Sequence, residues 1–465
     1  MSAFRILWLV FIGLPLAGWG QAAAPLTLPQ ALELARTNYP SLRARQAGIA
    51  AATADVRTLR ATYLPQLTAQ AQALNGTSNQ ARGALLGGIG PNVSGVRDYT
   101  SSQASWASQG MLFIDWPAVT FGRYRADVQR AEAGVSQAQA DYEQELFQHQ
   151  VQVADAYLLA LAAQKAVALQ TANLRRTQSL RRVILAATQA GIQAGIDSST
   201  ANAENARAQL QLLVSRQQAE QQRVRLAGLL GVPTQQLAPA DSSLFFTRLP
   251  ALPAAPDSGS LLRHPTLLAY RQRVAASDAA AKYLASNNRP TLSLVGATWG
   301  RGSGAASAAS PDGSFNINPS LGAGLPFKVY NYAVGAALTW RVTELLHSRR
   351  AATAQLARSE QARAEYSQQE LLLRTEQQNA RSQLDLARQS AQAAPAQLDA
   401  AQRAYTQAQA RYNAGLDNLV VLTQATLVLN RAETDQAIAI NNVWRALLLR
   451  AATSGTLSDF TGQLP

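Results

Sequence analysis

The side chains that most often carry catalysis or hold metals are scarce and scattered in this sequence. Histidine occurs only at His149, His264 and His347. None of them stands beside a serine or an acid in a recognisable nucleophile and base pattern, and three separated imidazoles leave little material for a metal cluster. They read as a helix-face, a turn and a helix-start residue. Cysteine is absent, which excludes a thiolate nucleophile, a Cys-ligated zinc site, a disulfide framework and a lipid-modified amino-terminal Cys. The stretch Gly300-Arg301-Gly302-Ser303-Gly304 reads as a flexible Gly/Ser loop rather than a phosphate cradle. An enzyme is therefore not expected, nor a cofactor or a metal. The net charge of +13, from 41 basic and 28 acidic residues, would by itself suggest a polyanionic partner.

With no reactive constellation, function has to come from architecture. Residues 1–23 have the layout of a secretory leader: Arg5, the apolar run Ile6 to Leu16, then small residues around Ala17-Gly18. A secreted chain rarely meets nucleic acid, so no nucleic-acid partner is expected. Elsewhere no apolar stretch is long enough for a transmembrane helix. A membrane role, if present, falls to β-strands.

The chain is also duplicated. Pro40 and Pro65 recur with the same spacing as Pro265 and Pro290, and Tyr39-Pro40-Ser41-Leu42 answers His264-Pro265-Thr266-Leu267. Each copy runs through a helix bracketed by the prolines, two strands, a very long helix, a glycine turn and a returning helix. The first copy reads as a helix over 41–63, strands over 67–74 and 106–116, a helix over 119–190, a turn at Ala194-Gly195-Ile196-Asp197, and a helix from Thr200. The second reads as a helix over 266–287, strands over 291–299 and 330–340, a helix over 343–413, a turn at Ala414-Gly415-Leu416-Asp417, and a helix over 419–452. The expected organisation is a leader (1–23), a first repeat (24–232), a Pro-rich linker (233–257), a second repeat (258–455) and a tail (456–465).

The helices carry a seam. Leu384, Ala391, Leu398, Tyr405 and Tyr412 recur every heptad, flanked by Ala387, Ala394, Ala401, Ala408 and Gly415, a coiled-coil spacing whose small residues let helix backbones approach closely. The returning helix repeats it with Ala425, Ala432, Ala439 and Ala446. A helix of this length is on the order of 100 Å long, beyond the needs of an ordinary globular core. Pro395 inside the seam is expected to kink or locally unwind it.

The strands alternate. Tyr332, Val334, Ala336, Leu338 and Trp340 share one face, while Asn331, Ala333, Gly335 and Thr339 share the other. Apolar-faced strands of about ten residues with aromatic ends suit a transmembrane barrel, and Trp106, Trp116, Trp299 and Trp340 stand at strand ends where an aromatic girdle belongs. Four strands cannot close a barrel, for which about eight are needed; three protomers would supply twelve.

At this point the residues resemble the outer membrane efflux protein family, the TolC-like channels. The resemblance rests on Leu26-Thr27-Leu28-Pro29-Gln30-Ala31-Leu32-Glu33-Leu34-Ala35, Tyr63-Leu64-Pro65-Gln66-Leu67, Phe121-Gly122-Arg123, Leu229-Leu230-Gly231 and Arg411-Tyr412-Asn413-Ala414-Gly415-Leu416, and it spans essentially the whole mature chain. It implies a mixed α/β membrane protein: a homotrimer with a twelve-stranded β-barrel in the outer membrane of a Gram-negative bacterium, continuous with an α-helical periplasmic tunnel. It implies docking with a periplasmic adaptor (membrane fusion protein) and an inner-membrane pump, in an efflux or type I secretion system. Gly195, Asp197, Arg411, Gly415 and Asp417 would form the periplasmic tip and adaptor contact, and Tyr412 and Gln424 the pore gate.

Two departures stand out. Where the best-known member has an Arg after the tip glycine this chain has Asp417, and where that member carries two carboxylates it has Val421 and Gln424. Loss of acidic rings implies weaker cation selectivity and weaker divalent block, with Asp417 left as a candidate displaced ring. The alternative is a periplasmic adaptor or structural coiled-coil protein, which would carry one hairpin rather than two.

Overall fold

A computed structural model describes residues 26–77, 102–191, 194–237, 244–247, 249–251, 261–309 and 315–463. The expected leader, most of the Pro-rich linker and the loop over 78–101 lie outside these residues. In chain order the elements are helices α1 (Leu28–Asn38) and α2 (Pro40–Thr62), strands β1 (Gln66–Gly76) and β2 (Ser105–Val119), and helices α3 (Arg123–Gln189), α4 (Gly195–Leu230) and α5 (Pro265–Ser286). There follow strands β3 (Thr291–Ser303), β4 (Ala305–Ala309) and β5 (Phe315–Ile317), helix α6 (Leu321–Gly324), strand β6 (Val329–Thr339), and helices α7 (Glu344–Asn413), α8 (Leu419–Ser454) and α9 (Ser458–Thr461). The order helix, two long strands, long helix, returning helix thus occurs twice. Pro40 and Pro265 each open a helix, where a missing N–H costs nothing and φ is already helical.

The fold divides into two compact units, and each contains parts of both halves of the sequence. One comprises residues 45–141 and 268–369, the other residues 1–44, 142–267 and 370–465. The first holds a four-stranded antiparallel sheet in the order β1-β2-β3-β6. Pro117 sits where the β2 to β3 register shifts between Trp116 and Val119, a position at which its missing donor is tolerated. The chain then turns through Phe121 (φ 50°) and Gly122 (φ 92°) into α3, so the segment expected as helix from Val119 begins instead at Arg123. Arg289 Nη1 donates to the Phe121 carbonyl at 2.6 Å and holds this corner.

The second unit is built on the seam read from the sequence. Leu384, Ala391, Ala394, Ala401 and Ala408 of α7 are buried, as are Ala432, Ala439 and Ala446 of α8. α7 stays helical through Pro395 rather than unwinding there; Ala391 and Ala394 are packed in the core, and this packing holds the turn that has lost one hydrogen bond. At the far end of the hairpins, α1 packs Leu28, Ala31 and Ala35 into a core with Tyr157, Leu230, Trp444 and Phe460. Tyr157 Oη donates to the Leu26 carbonyl at 2.9 Å and Trp444 Nε1 to the Phe245 carbonyl at 3.1 Å, so both buried polar tips are satisfied. No helix among the described residues is long and apolar enough to cross a membrane.

Candidate functional site

The turn between α7 and α8 is fixed by its own backbone. Gly415 adopts φ 71°, Gly415 N–H donates to the Tyr412 carbonyl at 3.0 Å and Leu416 N–H to the Arg411 carbonyl at 2.9 Å. This pair of bonds is the glycine-terminated helix end that satisfies the last carbonyls of α7. Asn418 then caps α8, its Oδ1 accepting from Val421 N–H at 3.2 Å. Across the turn Arg411 grips Asp417 with two bonds, Nε to Oδ2 at 2.7 Å and Nη2 to Oδ1 at 3.3 Å. The guanidinium holds the Asp417 carboxyl below the usual carboxylate range, and the carboxylate raises Arg411 in turn. Asp417 is therefore neutralised within its own turn rather than presented as a free negative charge.

The first hairpin corrects the sequence expectation. Its left-handed residue is Gly191 (φ 74°), which ends α3, whereas Gly195 and Asp197 lie in the first turn of α4. Ala-Gly-Ile occurs at both Ala190-Gly191-Ile192 and Ala194-Gly195-Ile196, and only the backbone angle separates the turn from the helix start. Asp197 still has a physical role there, since a carboxylate in the first turn complements the helix dipole.

All four long helices meet just behind these turns. Ile184 of α3, Ala201 of α4 and Leu419 of α8 are buried together, with Leu180 and Tyr412 packed on them. Tyr412 thus joins the two hairpins, while Gln424 is exposed farther along α8 and is not brought to it. Beyond the cluster, Ile196, Leu416 and Val420 expose 73%, 67% and 67% of their surface, apolar side chains that the described residues leave uncovered. Higher up, α3 and α8 are tied by Arg176 and Glu433, whose two bonds measure 2.8 and 2.7 Å, and by Arg445 Nε to Asp155 Oδ1 at 2.7 Å. The sequence gives no sign of either pair.

The sheet has two chemically different faces. Register places Leu67 beside Ile114, Ile114 beside Gly296, and Gly296 beside Val334, so this face carries Leu67, Leu112, Ile114, Trp116, Leu294, Tyr332, Val334 and Leu338, all exposed. The other face carries Thr68, Gln70, Gln72, Gln109, Asp115, Ser293, Arg301 and Asn331. Trp106, Trp116 and, one residue beyond β6, Trp340 fall on the apolar side. Trp299 does not: it pairs with Met111 and Asn331 on the polar face, opposite the other three, so the four cannot share one girdle. Side chains alternate along a strand, and Trp299 is odd where Leu294 and Thr298 are even. Its neighbours Gly300 to Ser303 form the end of β3, not a flexible loop. The residues before β6 lie over them, with the Phe327 ring filling the space a Cβ on Gly110 or Gly300 would take and Ser108 Oγ donating to the Leu325 carbonyl at 2.9 Å.

Two of the three histidines serve packing. His149 stacks on Tyr39 with ring centroids 3.7 Å apart, its Nε2 2.9 Å from the Leu229 carbonyl. His264 Nδ1 accepts from Thr266 N–H at 3.1 Å and its Nε2 lies 2.9 Å from the Ala452 carbonyl. Both bonds are satisfied only by the neutral ring protonated at Nε2, and burial lowers both histidines from their ordinary value. His347 is exposed beside Glu344 at 3.2 Å. Among the described residues no three His, Asp or Glu side chains converge as a metal site.

Comparison with known proteins agrees with this geometry. A curated relative, the pyoverdine export outer membrane protein OpmQ of Pseudomonas putida, is 27% identical over 289 residues, 62% of this chain. The match covers 59% of that protein's length. The outer-membrane channel OprN superposes with a TM-score of 0.71 at 25% identity, over 92% of this chain and 89% of that one. The CmeC outer membrane channel of Campylobacter jejuni shares the fold, with a TM-score of 0.74 at 14% identity over 98% and 94% of the two chains. Residues 31–232 and 258–449 match the family described as outer membrane efflux protein, a family of channels rather than enzymes, and the chain belongs to it.

Proposed function

We propose that three copies of this chain form a passive conduit across the outer membrane, the exit component of a tripartite efflux or secretion system. The observation that carries the reading is the open sheet: β1 and β6 are its two edges, and both are exposed along their whole length. Unpaired edges on an apolar-faced sheet call for partners. In an antiparallel sheet of four strands the two edges run in opposite directions, so β6 of one copy can pair antiparallel with β1 of the next. Three copies close twelve strands, an even number as such barrels require.

The helices support the same assembly. α3 and α8 are joined within the protomer by the two arginine and carboxylate pairs, while α4 exposes Leu210, Leu213, Val214 and Val224, and α7 exposes Leu371, Leu372 and Leu386. These apolar stripes are the surfaces that neighbouring copies would cover to complete a helical tunnel. Trp106, Trp116 and Trp340, with Tyr330 and Tyr332, form the aromatic girdle. At the tips, Gly195, Asp197, Arg411, Gly415 and Asp417, together with Gly191, shape the surface that meets a periplasmic adaptor fed by an inner-membrane pump. The exposed Ile196, Leu416 and Val420 are its apolar contacts, and Tyr412 and Gln424 belong to the gate. The pyoverdine export relative supports a small-molecule cargo. The two sequence repeats, 24–232 and 258–455, joined by the linker 233–257, give each protomer two equivalent hairpins for the tunnel.

Reconstitution of the purified chain in planar bilayers tests the conduit: discrete conductance steps are expected, and protein that leaves the bilayer silent while folded would exclude it. Affinity capture from envelope membranes tests the partners, with Leu416→Asp and Val420→Asp expected to abolish recovery of an adaptor.

A further inference from the structure

Trp299 and Arg301 follow one another on the polar face of the sheet. Register puts Met111 and Asn331 on either side of Trp299 and Gln109 beside Arg301. Among the described residues, the Trp299 indole N–H has no acceptor, and the Arg301 guanidinium has no hydrogen bond and no carboxylate partner. The other ionisable side chain on this face of the four strands is Asp115, which pairs with Val295, six residues back along β3 and so about 20 Å away. A guanidinium one strand step from an indole on the same face, with neutral amides beside both and no carboxylate partner among the described residues, offers a planar surface, a fixed positive charge and hydrogen-bonding partners close together.

We infer that Trp299 and Arg301 form a wall subsite in the exit barrel that holds anionic aromatic cargo. This rests on the reading that the polar face of the sheet lines the pore. An aromatic ring stacks on the indole, and its carboxylate, sulfonate or phosphate accepts from the guanidinium in the fork geometry arginine favours. Gln109 and Asn331 supply donors and acceptors for polar substituents. The trimer presents three such subsites at one level, and binding at each is weak enough to release, as conduction requires.

The test uses the assembled full-length trimer in planar bilayers, with 1-naphthalenesulfonate as the aromatic anion and methanesulfonate as the charge-matched control. The wild type is expected to show concentration-dependent block by 1-naphthalenesulfonate and none by methanesulfonate. Trp299→Leu should weaken that block about threefold to tenfold, while Trp299→Phe retains most of it. Arg301→Gln should abolish it and move the reversal potential toward cations, and Arg301→Lys should restore the reversal potential. Equal block in wild type, Trp299→Leu and Arg301→Gln would overturn the subsite, as would an open wild-type pore that 1-naphthalenesulfonate does not block. A wild-type trimer that conducts nothing would overturn the pore reading beneath it, and the subsite with it.

Discussion

Arg411 and Asp417 close the tip turn on each other, with both carboxylate oxygens engaged by one guanidinium. The pairing decides what the departure at Asp417 means for the pore, because the carboxylate that stands where an acidic ring was a candidate is already balanced by its own chain. Arg411→Ala should free it. The variant is expected to gain cation preference, by a factor of about two or more in permeability ratio, and to become sensitive to divalent block. Reversal potentials in asymmetric KCl check this, and an unchanged ratio would show that Asp417 does not face the pore.

The same pair predicts an acid-sensitive tip. Asp417 titrates below its unfolded value, so its contribution to the turn is present above the usual carboxylate range and is lost as pH falls through the depressed folded value. Protection factors at Leu416 and Val421, with the intrinsic pH dependence of exchange divided out, should fall at low pH in the wild type, and Asp417→Asn should show the lower protection at neutral pH as well.

Arg176 and Glu433 hold α3 to α8 with side chains only 20% and 17% exposed. Removing one partner leaves the other charge half-buried and unpaired, so Arg176→Ala or Glu433→Gln should each cost roughly 2–4 kcal/mol. The double variant Arg176→Leu/Glu433→Leu should recover much of it. Thermal unfolding in detergent measures this, and additive losses would contradict a direct pair.

His264 must be neutral to keep both of its bonds. Because burial lowers its folded pKa, the unfolded chain takes up the proton first, and stability is lost as pH falls below about 6.5, the ordinary imidazole value. His149 shifts in the same direction. The melting temperature should therefore drop on acidification from pH 7 to 5. His264→Gln should flatten part of that slope while lowering stability at pH 7, and a slope unchanged by the substitution would show that His264 is not its source.

A Cβ on Gly302 would stand 2.3 Å from the Pro326 carbonyl oxygen and 2.7 Å from that of Gly324. Gly302→Ala should displace the segment before β6 and cost about 1–3 kcal/mol. Gly335→Ala, which meets open space, should be silent. Limited proteolysis at the outward loops compares the two.

How much of this was legible in the residues follows the range of the forces involved. Pro40, Pro265 and the heptad alanines act locally or periodically, and the helices they bound and face came out within a few residues. For Trp299, residue type and nearness to a strand end say nothing of its face; only the register against Met111 and Asn331 does. Ala194-Gly195-Ile196-Asp197 matches the second tip, Ala414-Gly415-Leu416-Asp417, in residue type, yet the positive φ is at Gly191, which residue type alone does not reveal because Ala-Gly-Ile occurs twice. Arg176 and Glu433 are 257 positions apart, in a chain rich in exposed arginines, and nothing local marks the pair. The short elements β4 and α6 lie in Gly, Ser and Ala composition that reads as loop, and β5, only Phe315–Ile317, is too short to show a period.

In the proposed assembly the open edges β1 and β6 close on other copies of the same chain. Native mass spectrometry of the detergent-extracted full-length protein tests it most directly. One species containing three copies is expected, resistant to mild SDS and collapsing to single chains on heating; a folded species of one copy would overturn the assembly.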